Sequence, residues 1–239
     1  MAGTLRRWLE MRKRFGAGAA MTWLAERVLR RVANLRVIHL VWLDAQGVRS
    51  SVAPDLELTF RVLTADEVRW LAEDPANDLD PAMAARIEAG TDLCFAALAG
   101  DRLAAYGWYA LESIEAEHAL EVAMSFPEDV AYMYKGFTHP DFRGKRIHGI
   151  AMTLALQTLA EQGVTKLVSV VQWTNWASLR SCWRLGYECL GHIVGVGRGR
   201  RSLWFYPKEG WRRGVRFGRD ALPRVPRPQP DHECVGAGV

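Results

Sequence analysis

The chain has 239 residues, 49% apolar and 24% charged, which suffices for one full core and is ordinary for a globular protein. It contains no run of about eighteen apolar residues, so no membrane-spanning helix is expected. No apolar segment with a cleavage site follows the N-terminal arginines, so no signal peptide is expected either. The formal net charge of +4 is unevenly spread: nine Lys/Arg against two Asp/Glu give residues 1–36 a charge of +7, residues 37–197 carry −9, and residues 198–239 carry +6.

Residues 1–36 read as basic and helical. Met21, Leu24, Ala25, Val28 and Val32 keep helical spacing, with Arg27, Arg30 and Arg31 elsewhere on the wheel. Leu5, Trp8 and Leu9 start a shorter amphipathic turn, and Gly16-Ala17-Gly18 breaks the run. Such a stretch either docks on its own domain or a partner, or lies peripherally on an anionic membrane. Val37 to Leu43 reads as a strand, followed by a polar linker over Arg49 to Asp55. Leu58 to Val62 alternates like a strand. Thr64 then opens a helix, with Glu67 completing a capping box. Asp80-Pro81 starts another helix that ends at Gly90. Leu93–Leu98 and Leu103–Leu111 form a hairpin around Gly100-Asp101. The stretch from Ser113 to Pro127 is irregular and rich in carboxylates.

The segment from Tyr132 to Tyr187 carries the strongest pattern. Tyr132–Thr138 reads as a strand, which Pro140 stops. Arg143 to His148 forms a cationic turn, and Ile147–Ala160 is a helix apolar all round, hence buried. Leu167–Val171 is a second strand, and a short helix follows. Two strands joined by a helix form a βαβ unit with the strands parallel. Unpaired N–H groups and the helix dipole at the turn, reinforced by Arg143, Lys145 and Arg146, suit a diphosphate. The alternative is a solvated basic turn. Leu190–Val196 and Leu203–Tyr206 read as a hairpin. From Pro207 the periodicities vanish, and residues from about Val215 read as a flexible tail. The cysteines (Cys94, Cys182, Cys189 and Cys234) lack metal-ligand spacing and read as reduced thiols of a cytoplasmic protein.

Thr138-His139-Pro140-Asp141-Phe142-Arg143-Gly144-Lys145-Arg146-Ile147-His148 resembles the V-x-P-x-[YF]-[RQ]-G-x-G-x-[GA] turn of the GNAT superfamily, the acyl-CoA-dependent N-acyltransferases. Asn175, Ser178, Gly186 and Tyr187 match that family's following N-x-x-[AS]-x-x-x-Y-x-x-x-G-[FY] pattern. The likeness covers roughly residues 56–206. It implies an α+β, three-layer fold: a mixed, mostly antiparallel sheet with a central parallel βαβ unit flanked by helices. The expected organisation is a basic helical extension with a possible extra strand (1–55), the acyltransferase domain (56–206), and a flexible basic tail (207–239). Arg146 and His148 stand where the family has small residues, and Cys182 stands where it has a tyrosine.

The resemblance implies acetyl-CoA or another acyl-CoA as co-substrate. By position, Gly136, Phe137, Thr138, Arg143, Gly144, Lys145, Arg146, Ile147, His148, Asn175 and Ser178 would hold it. Gly136 also fits a strand bulge, and Asn175 also fits a helix cap. The reaction needs a base to take the amine proton, since a lysine-type amine has a pKa of about 10.4 and is almost wholly protonated at neutral pH. The family's base position maps to Tyr132, with Glu128, Asp129, Glu121 and His118 as alternatives. Cys182 is the positional candidate for the acid. Each of these also reads as an ordinary packing or surface residue. Trp173, Trp176 and Trp183 read as core or as a pocket wall.

The leading expectation is an N-acyltransferase acting on a small-molecule or peptide amine. An acyl-carrier-protein-dependent enzyme and a non-catalytic acyl-CoA sensor are the alternatives. A nucleic-acid partner is not expected, because the basic ends carry no recognition motif.

Overall fold

The computed structural model describes residues 2–49, 56–114, 122–197 and 202–218. The chain opens with two helices, α1 (Ala2–Phe15) and α2 (Ala17–Val32), reversing at Gly16, whose φ of 94° favours glycine. The strand β1 (Arg36–Asp44) follows, then β2 (Thr59–Val62) and α3 (Ala65–Leu71). Thr64 caps α3 through the expected box, its hydroxyl accepting from the Glu67 N–H while the Glu67 carboxylate accepts from the Thr64 N–H. Next come α4 (Ala84–Glu88), β3 (Asp92–Ala99), β4 (Arg102–Ala110) and β5 (Ala123–Ser125). The segment with the strongest pattern gives β6 (Val130–Thr138), α5 (Ile147–Glu161), β7 (Lys166–Gln172) and α6 (Trp176–Leu185). The chain then adds β8 (Glu188–Val196), β9 (Leu203–Phe205), α7 (Lys208–Arg212) and β10 (Arg216–Gly218).

Among the described residues, eight strands form one sheet in the order β2-β3-β4-β6-β7-β1-β8-β9, and β5 pairs with β10 beside it. Among the described residues of the large sheet, only β6 and β7 are parallel neighbours, as a strand–helix–strand unit requires. This is the mixed, mostly antiparallel α+β architecture expected from the sequence.

Side-chain alternation assigns the two faces. Ala131 and Met133 of β6 pack with Ala151, Met152, Ala155 and Leu156 of α5 and with Leu179 and Cys182 of α6. Val130 and Tyr132 point the other way, onto Met124, Phe126 and Val215. Toward β3 and β4, that second face is covered by Val68 and Leu71 of α3 and Ala84 of α4. Among the described residues no helix is long and apolar enough to cross a membrane.

Two expectations are corrected. The strand assigned to an N-terminal extension is β1, and it lies inside the sheet between β7 and β8. Its run Leu40-Val41-Trp42-Leu43 is buried on both faces, and only an interior strand can bury both. The segment assigned to a flexible tail is ordered at least to Gly218. Gly210 lies against Leu40, where an added Cβ would come within 2.6 Å of a Leu40 methyl. Val215 is fully buried, and Phe217 stacks on Tyr206 at 4.6 Å. These long-range contacts fix a stretch without local periodicity. The expected linker at 50–55, the loop carrying Glu115, Glu117, His118 and Glu121, the turn at 198–201, and residues 219–239 with Cys234 all lie outside the described residues.

Candidate active site

Pairing between β6 and β7 is confined to Val130↔Lys166, Ala131↔Leu167 and Tyr132↔Val168. Beyond that point β6 continues along β4 and β7 along β1, so the sheet opens between two parallel strands. A bulge starts the opening. Trp108 pairs with Lys135 and Tyr109 with Met133, leaving Tyr134 as the extra residue. A bulge bends its strand and interrupts the ladder. Burial changes at the same place: the first four residues of β6 are buried and the last five are not. The Ser169 hydroxyl donates to the Met133 carbonyl across the neck of the gap.

At the open end, Pro140–Phe142 makes a tight turn. The Arg102 guanidinium clasps Asp141 at 2.6 Å. Buried Phe142 lies beneath both Arg102, at 5.3 Å, and Lys145, at 5.5 Å. Arg143 folds back and donates from Nε to the Thr138 carbonyl at 3.1 Å. Gly144 has φ +83° with nothing within 4 Å of its virtual Cβ, so the backbone is open to close approach. Arg146 takes the left-handed conformation, φ 61°, as N-cap of α5 and provides no side-chain cap. The N–H groups of residues 144–148 have no acceptor among the described residues. Exposed Arg143, Lys145 and Arg146 surround them and make no ion pair among the described residues. Free N–H groups, dipole and full charges therefore converge on one corner, a chemistry that suits an anion.

His148, in the first turn of α5, packs its ring on Gly136. A Cβ at Gly136 would lie 2.5 Å from the ring and 2.7 Å from the Met133 methyl. Glycine thus lets α5 approach the open strand. The His148 Nδ1 is out of solvent without a partner, and burial lowers the imidazole pKa to about 4. Phe137 stacks on Tyr106 at 5.3 Å, and Thr138 pairs with Ala105. Across the opening, Asn175 caps α6, its side chain accepting from the Ser178 N–H at 3.3 Å. Because β6 and β7 run parallel, α5 and α6 both begin at the same edge of the sheet, and both pack on the same face.

The residues considered for proton transfer lie elsewhere. Tyr132 is fully buried with Phe126 and Tyr134 rings around it. Glu128 is exposed at the start of β6, about 30 Å along an extended strand from Thr138. Asp129 pairs with Lys166. Cys182 is buried under α6, and burial pushes its thiol up to about 12.

Sequence reasoning missed the network at the bulge. The Tyr134 hydroxyl donates to Asp92 at 2.6 Å, and Arg86 lies 2.8 Å from the other carboxylate oxygen. The Asp92 side chain is fully buried, and burial together with its charge raises the Tyr134 pKa. Nearby, Lys135 donates to the Asp78 carbonyl at 2.6 Å and pairs with its carboxylate at 3.2 Å. A single carboxylate opening the otherwise apolar run of β3 was the available signal. The residues at the open corner thus fit an acyl-CoA: unpaired N–H groups and cations for its diphosphate, and a strand edge without a partner for its amide-bearing arm.

The model of the acetyltransferase (GNAT) family matches residues 64–187. No curated protein matches the chain. Among solved structures it is similar to a GNAT-family acetyltransferase from Colwellia psychrerythraea, at 13% identity over 72% of this chain and 57% of that one, TM-score 0.47. A GCN5-related N-acetyltransferase from Kribbella flavida shares 18% identity over 73% of this chain and 64% of that one, TM-score 0.47. The aminoglycoside N-acetyltransferase AAC(6')-Iy in complex with CoA shares 16% over 65% and 97%, TM-score 0.43. The chain therefore spans less than two thirds of the length of the Colwellia and Kribbella proteins. The family model covers more than half of the chain, and the protein belongs to the acetyltransferase (GNAT) family.

Proposed function

We propose that this protein is an N-acyltransferase that moves an acetyl or other acyl group from acyl-CoA to a small-molecule or peptide amine. One observation carries the reading: two parallel strands part at a bulge and end at a helix start whose N–H groups are unpaired and ringed by Arg143, Lys145 and Arg146. An acyl-CoA supplies an activated thioester carbonyl. The turn from Arg143 to His148 holds its diphosphate. The free edge of β6 from Gly136 to Thr138 holds the arm by main-chain hydrogen bonds, while Asn175 and Ser178 border it from α6. Orientation by these groups and donors aimed at the reacting oxygen supply the acceleration. The amine proton leaves through water or through the acceptor's own groups, since Tyr132 and Cys182 are sequestered in the core.

Titration of full-length protein with CoA, followed by thiol release from acetyl-CoA with a panel of amines, tests this. Arg143→Glu should weaken CoA binding on the order of 100-fold while leaving the circular dichroism unchanged. Unchanged affinity would remove the site. Binding without thiol release for any amine favours the sensor reading, which the burial of Tyr132 and Cys182 supports. Turnover with an acylated carrier protein but not with acyl-CoA favours the carrier-dependent reading.

The N-terminal helices support peripheral contact with an anionic membrane. Val28 is 53% exposed and Val32 81%, beside Met21 and Leu24, and Leu5 and Leu9 are exposed next to Arg12 and Lys13. An outward apolar stripe with cationic flanks suits an anionic interface. Co-sedimentation with phosphatidylglycerol vesicles, but not phosphatidylcholine vesicles, is expected. Equal recovery in both supernatants would exclude it.

A further inference from the structure

Outside the strand opening, a cleft of about 890 Å³ lies between the α1–α2 hairpin and the β7–α6 turn. Its size is that of a small-molecule site. Arg7, Arg14, Arg27 and Arg31 line it and make no ion pair among the described residues. Arg30, which also lines it, lies 3.9 Å from Glu26. Five guanidinium groups against the carboxylates of Glu10 and Glu26 leave a formal charge of +3 in one concavity. Like charges gathered in one concavity repel one another and attract an anion, which relieves the repulsion.

Aromatic surface accompanies the charge. Trp23 carries the Arg27 guanidinium over its ring at 5.8 Å. Trp176 lines the opposite wall, and its indole N–H is out of solvent with no acceptor among the described residues. A buried donor without a partner costs free energy that a bound oxygen or ring nitrogen would recover. The ligand chemistry is therefore a phosphate joined to a planar ring: bidentate guanidinium contacts suit the first, and indole and guanidinium faces suit the second.

The position names the source. Gln172, Asn175 and Trp176 line the cleft, at the end of β7 and the start of α6. That is the sheet edge, and the face, on which α5 presents its unpaired N–H groups. We propose that the cleft is the subsite for the 3′-phosphoadenosine end of the donor, which rests on the acyl-CoA reading given above. The α1–α2 hairpin lies outside the segment matched by the family model, residues 64–187. Such a subsite favours free CoA over a carrier protein, whose phosphopantetheine arm bears no nucleotide. The hairpin is tied to α6 by Arg180, which donates to the Arg14 carbonyl at 3.4 Å and lies over the Phe15 ring at 4.9 Å.

Calorimetric titration of the full-length protein with CoA and with dephospho-CoA, which differ only by the 3′-phosphate, tests the proposal. Wild type should bind CoA on the order of tenfold more tightly, as one lost charge-assisted contact predicts. Arg27→Glu/Arg31→Glu, two exposed positions, should abolish the tenfold preference, so that CoA and dephospho-CoA bind the variant with equal affinity. Raising salt should erode the preference for CoA in wild type only. Equal wild-type affinity for the two ligands overturns the proposal but leaves the acyl-CoA reading intact. So does a double variant with unchanged CoA binding and a raised KM for the amine, which would give the cleft to the acceptor. If wild type binds neither ligand, both readings fall.

Discussion

Helices α2 and α5 are nearly equal in length, 16 and 15 residues, and solve opposite problems. In α5 the apolar residues run all round and eight side chains or backbones are buried, so the sheet and α6 hold the helix in place. Its uncapped N-terminus is thereby fixed against the strand opening. In α2 only Ala19 and Ala20 are buried; the apolar stripe faces solvent while the arginines line the cleft. One helix is held by burial so that its end can bind an anion. The other turns its arginines to the rim of an open cleft and its apolar stripe to solvent. Burial and binding are divided between them rather than shared.

The contrast can be broken most sharply in the core. Leu156→Ala in α5, a side chain 1% exposed, should cost about 2–5 kcal/mol, read as a lowered urea midpoint. A loss below ~1 kcal/mol would mean that α5 is not held by packing. Asp92→Ala should cost about 2–3 kcal/mol, because it leaves Arg86 and the Tyr134 hydroxyl without their partner at the bulge. Arg86 is partly exposed, which keeps this below the cost of breaking a wholly buried pair. If the network also sets the opening, CoA affinity should fall in the same variant.

A pH dependence follows from His148, whose folded pKa is lowered to about 4 from an ordinary 6.5 by burial. The folded state favours the neutral ring, so its contribution is complete above about pH 6.5 and declines as pH falls toward 4. In His148→Gln that part of the decline should disappear from chemical denaturation curves measured at successive pH values. An unchanged slope would show that the ring is solvated in the folded protein. Smallest of all, Val28→Ser on the outward face of α2 should change stability by no more than about 0.5 kcal/mol. A large loss there would show the stripe to be covered in solution.

The βαβ unit, the cationic turn and both helix caps were legible because each is written in consecutive residues. Proline and glycine stop the chain, Thr64 and Asn175 cap it, and an all-round apolar run has to be buried. The bulge at Tyr134 was not, since a strand's register depends on its partner. Asp92 and Arg86 meet across elements, and the cleft arginines share a wall only because α1 folds back on α2.

Local chemistry, then, determined the elements of this protein and the sign of charge at its cationic turn, because propensities and caps act within a few residues. Long-range packing alone decided that β1 lies within the sheet, that the segment after Pro207 folds down onto Leu40 and Tyr206, and that Tyr132 and Cys182 are buried in the core. Such choices turn on which apolar surfaces and strand edges are left to cover one another once the chain is compact.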